Sequence, residues 1–77
     1  AIAREIGNRD GESGILNNLG GAYRDLGEYE QAIELQQQSL AIDREIGDRQ
    51  GESISLASLG TTYLALKQYQ RAIEFFQ

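Results

Sequence analysis

Residues 16–32 read L-N-N-L-G-G-A-Y-R-D-L-G-E-Y-E-Q-A, and residues 56–72 read L-A-S-L-G-T-T-Y-L-A-L-K-Q-Y-Q-R-A. Leu16, Leu19, Gly20, Tyr23, Leu26, Tyr29 and Ala32 each return forty positions later, as Leu56, Leu59, Gly60, Tyr63, Leu66, Tyr69 and Ala72. Self-similarity at a fixed period of this length marks an array of stacked units, each of which buries its apolar face against its neighbours.

The chain is short for such an array. Seventy-seven residues make one compact unit at most, and a chain of that size buries only about 60% of its unfolded surface. There is no cysteine to cross-link it and no histidine to act as a base near neutral pH. The net charge is −5, whereas phosphate backbones are bound through excess Lys and Arg. Nucleic acid and anionic membranes are therefore not expected partners. No apolar run approaches the ~20 residues of a membrane span, and no signal peptide is visible; a cytoplasmic setting is expected. The chain opens on Ala1 without an initiator Met, which reads as a piece of a longer protein.

Local signals divide the chain into helices. A-I-A-R-E-I at residues 1–6 matches A-I-D-R-E-I at 41–46, so the first copy reads as the tail of a preceding helix. Gly7 and Gly47 stand where a helix ends on a left-handed residue. Asn8 and Asp48 follow as N-caps, and Glu12 and Glu52 suit the positive end of the next helix dipole. Ile15, Leu16, Leu19, Tyr23 and Leu26 then fall on one face of a helix over about residues 9–26. Gly20 lies at the edge of that face. A glycine inside a helix costs about 1 kcal/mol against Ala, so its return at Gly60 implies a neighbouring backbone too close for a Cβ.

Gly27 ends this helix. Its counterpart Lys67 must adopt a left-handed backbone at some cost or end the third helix differently. The second helix, 29–46, places Tyr29, Ala32, Ile33, Leu40 and Ile46 inward, with Leu35 and Ile42 widening the face. Gln31, Glu34, Gln37 and Gln38 face water. A third helix over about 49–66 repeats the first, and a fourth begins near Tyr69 and runs to Gln77. Linkers of two or three residues join antiparallel neighbours, and nothing reads as a strand. The expected fold is all-α, with antiparallel helix-turn-helix units in a row: 9–46 the first pair, 49–77 the second.

The run L-x-x-L-G-x-x-Y, with Ala nine residues after the Tyr, resembles the tetratricopeptide repeat. Leu19, Gly20, Tyr23 and Ala32 carry the likeness, as do Leu59, Gly60, Tyr63 and Ala72. Leu16 and Leu56 stand where the family's Trp is usual, and the forty-residue period is longer than the common thirty-four. It looks like the long-helix variant of kinesin light chains and cell-polarity scaffolds. Gln36 occupies a place the family gives to a large apolar residue, and Phe76 fills it in the second copy. Arg44 falls where shorter repeats often have Pro, which puts the following turn in question. The resemblance implies a right-handed superhelix whose first helices line a concave groove for a peptide or a helix of a protein partner.

On the helical wheel the groove face of the first helix carries Gly14, Asn17, Asn18, Gly21, Arg24 and Asp25. Asn17 and Asn18 are suited to holding a peptide backbone, and Arg24 to pairing with a carboxylate. The same face of the third helix carries Ile54, Ala57, Ser58, Thr61, Leu64 and Ala65. It is apolar where the first is polar, and burying Ile54 and Leu64 would contribute about 1.5–3 kcal/mol each. Two readings stand: a graded groove for an amphipathic segment, or a surface that a neighbouring repeat covers. Asn17, Gly21 and Ser58 differ from the Lys and Asn residues by which some relatives clamp a terminal carboxylate, so that specificity is not implied.

Catalysis finds no support. Acid–base pairs need a pocket that perturbs their pKa values, and Glu28, Glu30, Glu34 and Glu45 fall at helix ends or on polar faces. No phosphate loop follows a strand, no calcium loop is present, and no metal or cofactor is expected. The expected function is a non-catalytic protein-interaction scaffold. The alternative is self-association, end to end or by helix swapping, through Ile2, Ile6, Ile73, Phe75 and Phe76 on the terminal helices.

Overall fold

The structure, a computed structural model, describes residues 9–76. The helix tail at 1–6, Gly7, the Asn8 cap, Ile2, Ile6 and Gln77 lie outside the described residues, as do the side chains of Arg9, Asp10, Tyr69 and Ala72. Four helices follow one another: α1 (Arg9–Asp25), α2 (Tyr29–Ile46), α3 (Arg49–Ala65) and α4 (Tyr69–Phe76). No strand occurs among the described residues. Each helix packs on the next, and α1 also touches α3, whereas α2 and α4 do not meet. The first helices of the two pairs therefore lie side by side.

Three turns share one ending. Gly27, Gly47 and Lys67 have φ of 82°, 72° and 65°. In each, the next residue's N–H reaches back five positions: Glu28 to Tyr23, Asp48 to Asp43 and Gln68 to Tyr63, all at 2.9 Å. This is the Schellman arrangement. Lys67 thus takes the left-handed backbone despite its side chain. The ends of α1 and α3 fall one residue before the expected Leu26 and Leu66, which is where such a turn begins to tighten. Asp48 caps α3 by accepting the Gly51 N–H at 2.9 Å. Arg44 does not break α2. Its Nε donates to Glu52 at 2.8 Å, tying the last turn of α2 to the first of α3.

The apolar core is Leu40, Leu59 and Tyr63, with Ile33, Leu56, Leu66 and Phe75 packed around it. Phe75, expected on an open face, is instead partly buried and stacks on Tyr63 at 5.3 Å between ring centroids. The expected inner face of α1 needs a larger correction. Leu16 and Tyr23 are half-buried, but Ile15, Leu19 and Leu26 are exposed, Leu26 by 72%. Ile46 at the end of α2 is exposed as well. The cause is position in the stack. Leu19 is 45% exposed whereas its counterpart Leu59 is fully buried. α3 is held between α2 and α4, while among the described residues α1 has only α2 and the edge of α3 against it.

There is no room for a Cβ at Gly20 or Gly60, but the neighbour is not the expected backbone: at Gly20 a side chain comes nearest with one carbonyl behind it, and at Gly60 only a side chain is in contact. A Cβ on Gly20 would stand 2.6 Å from Gln36 Cγ and 3.2 Å from the Ala32 carbonyl oxygen. A Cβ on Gly60 would stand 2.8 Å from the ring of Phe76. Gln36 and Phe76 are thus equivalent fillers of equivalent slots. Gln36 does more than fill space, because its Oε1 meets the Thr62 hydroxyl of α3 at 2.7 Å. One buried side chain thereby contacts the helix before it and the helix after it.

Candidate interaction groove

Because α1 and α3 are adjacent, their outward faces form one surface. Asn18, Asp25, Ile54, Ala57, Thr61 and Leu64 are exposed on it, and Asn17, Gly21, Arg24 and Ser58 are half-buried. Ile54 and Leu64 are 51% and 48% exposed, too open for core residues of this unit. Arg24 lies 3.5 Å from the carboxylate of Asp25, so its charge is already partly matched within its own helix. The Thr61 hydroxyl donates to the Ala57 carbonyl at 2.9 Å and offers a partner only its lone pairs.

Between α1 and α3 the surface opens into a cleft of about 200 Å³. Gly14 and Asn17 of α1 face Gln50 and Ile54 of α3 across it. The structure therefore brings Asn17 and Ile54 to one site, while Asn18, Gly21, Arg24, Asp25, Ala57, Ser58, Thr61 and Leu64 lie on the surface beyond it. Asn17 Oδ1 is sealed from solvent and, among the described residues, has no hydrogen-bond donor.

The deep side of the cleft is a polar cluster that helix periodicity read only for apolar residues does not reveal. Asp43 of α2, 1% exposed, accepts from Ser55 of α3 at 2.6 Å and from Ser13 of α1. Ser39 donates to the Ser13 carbonyl at 2.9 Å. Buried polar groups are tolerated when they are paired in this way. A signal was present in the spacing: 32, 36, 39, 40 and 43 share one helical face, so Gln36, Ser39 and Asp43 are placed inward with Ala32 and Leu40. Ser13 and Ser55 are not repeat equivalents, and the period gives no hint of them.

Glu28, Glu30, Glu34 and Glu45 are exposed. Among the described residues no three or more His, Cys, Asp or Glu side chains are grouped to hold a metal, and no helix is long and apolar enough to cross a membrane.

A tetratricopeptide repeat family model matches residues 11–77. No curated protein and no solved structure gives a significant match. The match is to the repeat family as a whole and not to the kinesin-light-chain variant in particular. It spans nearly all of the chain, and the helix pairs, the glycine contacts and the left-handed turns agree with it. The chain belongs to the tetratricopeptide repeat family, whose members serve in general as protein-interaction scaffolds and are typically non-catalytic.

Proposed function

We propose that this chain is a non-catalytic scaffold that binds a peptide or helix of a protein partner along the surface shared by α1 and α3. The observation that carries this reading is the adjacency of the two first helices, with α2 and α4 apart, together with Ile54 and Leu64 standing open on that surface. Exposed apolar side chains beside half-buried polar ones offer both contact area and hydrogen-bond partners, which is the composition of an interaction site. In this reading 9–46 and 49–77 are the two repeat units, the setting is cytoplasmic, and no cofactor takes part. Leu64→Glu is the test. Loss of partner capture with unfolding stability unchanged supports the groove, and capture that survives while stability falls removes it.

Self-association is the second reading, and a separate observation favours it. Ile15 and Leu19 on α1, and Ile73 and Phe76 on α4, are exposed at opposite ends of the stack. Repeat units contact only their neighbours, and an uncovered end exposes an apolar face. A second copy seated head to tail would cover both ends. Sedimentation over a wide concentration range checks this. A single monomeric species at the highest concentration removes it.

A further inference from the structure

The exposed faces of α4 and α1 are the two halves of a joint that the chain already contains, and the inference drawn from them rests on the self-association reading. Between α2 and α3 that joint sets Gln36 Oε1 against the Thr62 hydroxyl at 2.7 Å. Ile33 of α2 packs on the cluster that holds Leu59 of α3, and Leu59 and Thr62, three residues apart, share one face of α3. Forty positions from Gln36 and Ile33 stand Phe76 and Ile73 of α4; forty positions from Thr62 and Leu59 stand Ala22 and Leu19 of α1. All four of these counterparts are exposed. The Phe76 ring lies over Gly60 as Gln36 lies over Gly20, and the rest of the ring is open where the Gln36 amide reaches the next helix.

The two open faces differ from the closed joint in a matched way. An amide facing a hydroxyl is replaced by an aromatic ring on one side and a methyl group on the other. Had only one side changed, closing the joint would bury a polar group without a partner. With both changed, no polar group is stranded, and the small Ala22 leaves room for the larger ring. Two different faces that fit each other make a contact that continues from copy to copy. We infer that a second copy seats its α1 on α4 by repeating the α2–α3 joint, with its Ala22 against the open part of Phe76 and its Leu19 against Ile73.

Sedimentation equilibrium of the whole chain tests this with the wild type, Ala22→Thr, Phe76→Gln and an equimolar mixture of the two variants. The wild type is expected to associate. Each variant alone sets a polar group against an apolar one and is expected to associate at least about tenfold more weakly. In the mixture the glutamine of one variant meets the threonine of the other, the phenyl ring meets alanine, and association is expected to return. Recovery on mixing reports coupling across the contact, which a folding defect does not produce. Leu19→Glu and Ile73→Lys, both at exposed positions, form a second pair read in the same way, so the test stands if Phe76→Gln loses helix content by circular dichroism. Wild-type association that the variants leave unchanged, or that mixing fails to restore in both pairs, would overturn this joint and leave self-association by another route, such as helix swapping. A wild type that is monomeric at every concentration would overturn both, the two faces then belonging to further repeats of a longer chain or to residues 1–6.

Discussion

Ser55 of α3 donates its hydroxyl proton to the buried carboxylate of Asp43 on α2 at 2.6 Å, while the other oxygen of that carboxylate takes the proton of Ser13 on α1. Three helices are thus joined at one acidic side chain. Such a group strengthens the assembly only while both oxygens keep their donors. Asp43→Ala strands the serine hydroxyls and opens a cavity. Urea unfolding is expected to show a loss of about 2–3 kcal/mol. Asp43→Asn retains one acceptor and is expected to lose less. A change below about 0.5 kcal/mol for the alanine variant would mean that the cluster does not hold the helices together.

Two glycines of α1 should respond in opposite directions to the same substitution. Gly14→Ala meets nothing within 4 Å and is expected to stabilise the chain by about 0.8–1 kcal/mol through helix propensity. Gly20→Ala brings its methyl against Gln36 and the Ala32 carbonyl. Overpacking of about 1–3 kcal/mol is expected to outweigh the propensity gain. Thermal unfolding of the two variants side by side reads the difference, and equal stabilisation would show that the α1–α2 contact is looser than described.

Lys67 holds a left-handed backbone that Gly27 and Gly47 hold without a side chain. Lys67→Gly is therefore expected to raise stability by about 1 kcal/mol. Gly27→Ala and Gly47→Ala are expected to lower it by a similar amount. Melting temperatures of the three variants check the sign, and a destabilised Lys67→Gly would show that the lysine side chain contributes more than its backbone costs.

The equivalent leucines separate position from identity. Leu59→Ala, at a fully buried site, is expected to cost about 2–5 kcal/mol. Leu19→Ala, at a half-open one, is expected to cost about 1 kcal/mol or less in dilute solution. If the Leu19 variant becomes as costly as the Leu59 variant at high protein concentration, the exposed face of α1 is covered by another copy, as the self-association reading requires.

The helices, their order and the two glycine contacts were legible because each leaves a local mark: a periodic leucine, a left-handed glycine, a capping aspartate. The Lys67 turn was legible as a conflict, since a repeat demanded a left-handed residue where no glycine stood. What escaped was set by neighbours. Leu19 and Leu59 are the same residue in the same motif, and only the number of helices against them decides which one is buried. Asp43 escaped because a charged residue on a helix is read as solvated unless its donors are known, and those donors lie twelve and thirty residues away. The inner positions of Gln36, Ser39 and Asp43 could be read from spacing alone. Their partners could not.

The glycine slots carry a last consequence. Gly20 is covered by an amide that also meets a hydroxyl on the next helix, and Gly60 by a phenyl ring. A swap of the two fillers would set a phenyl against the Thr62 hydroxyl and leave that hydroxyl without its side-chain partner. Units that share a backbone plan are thereby joined by unlike contacts, and one filler cannot replace the other without loss.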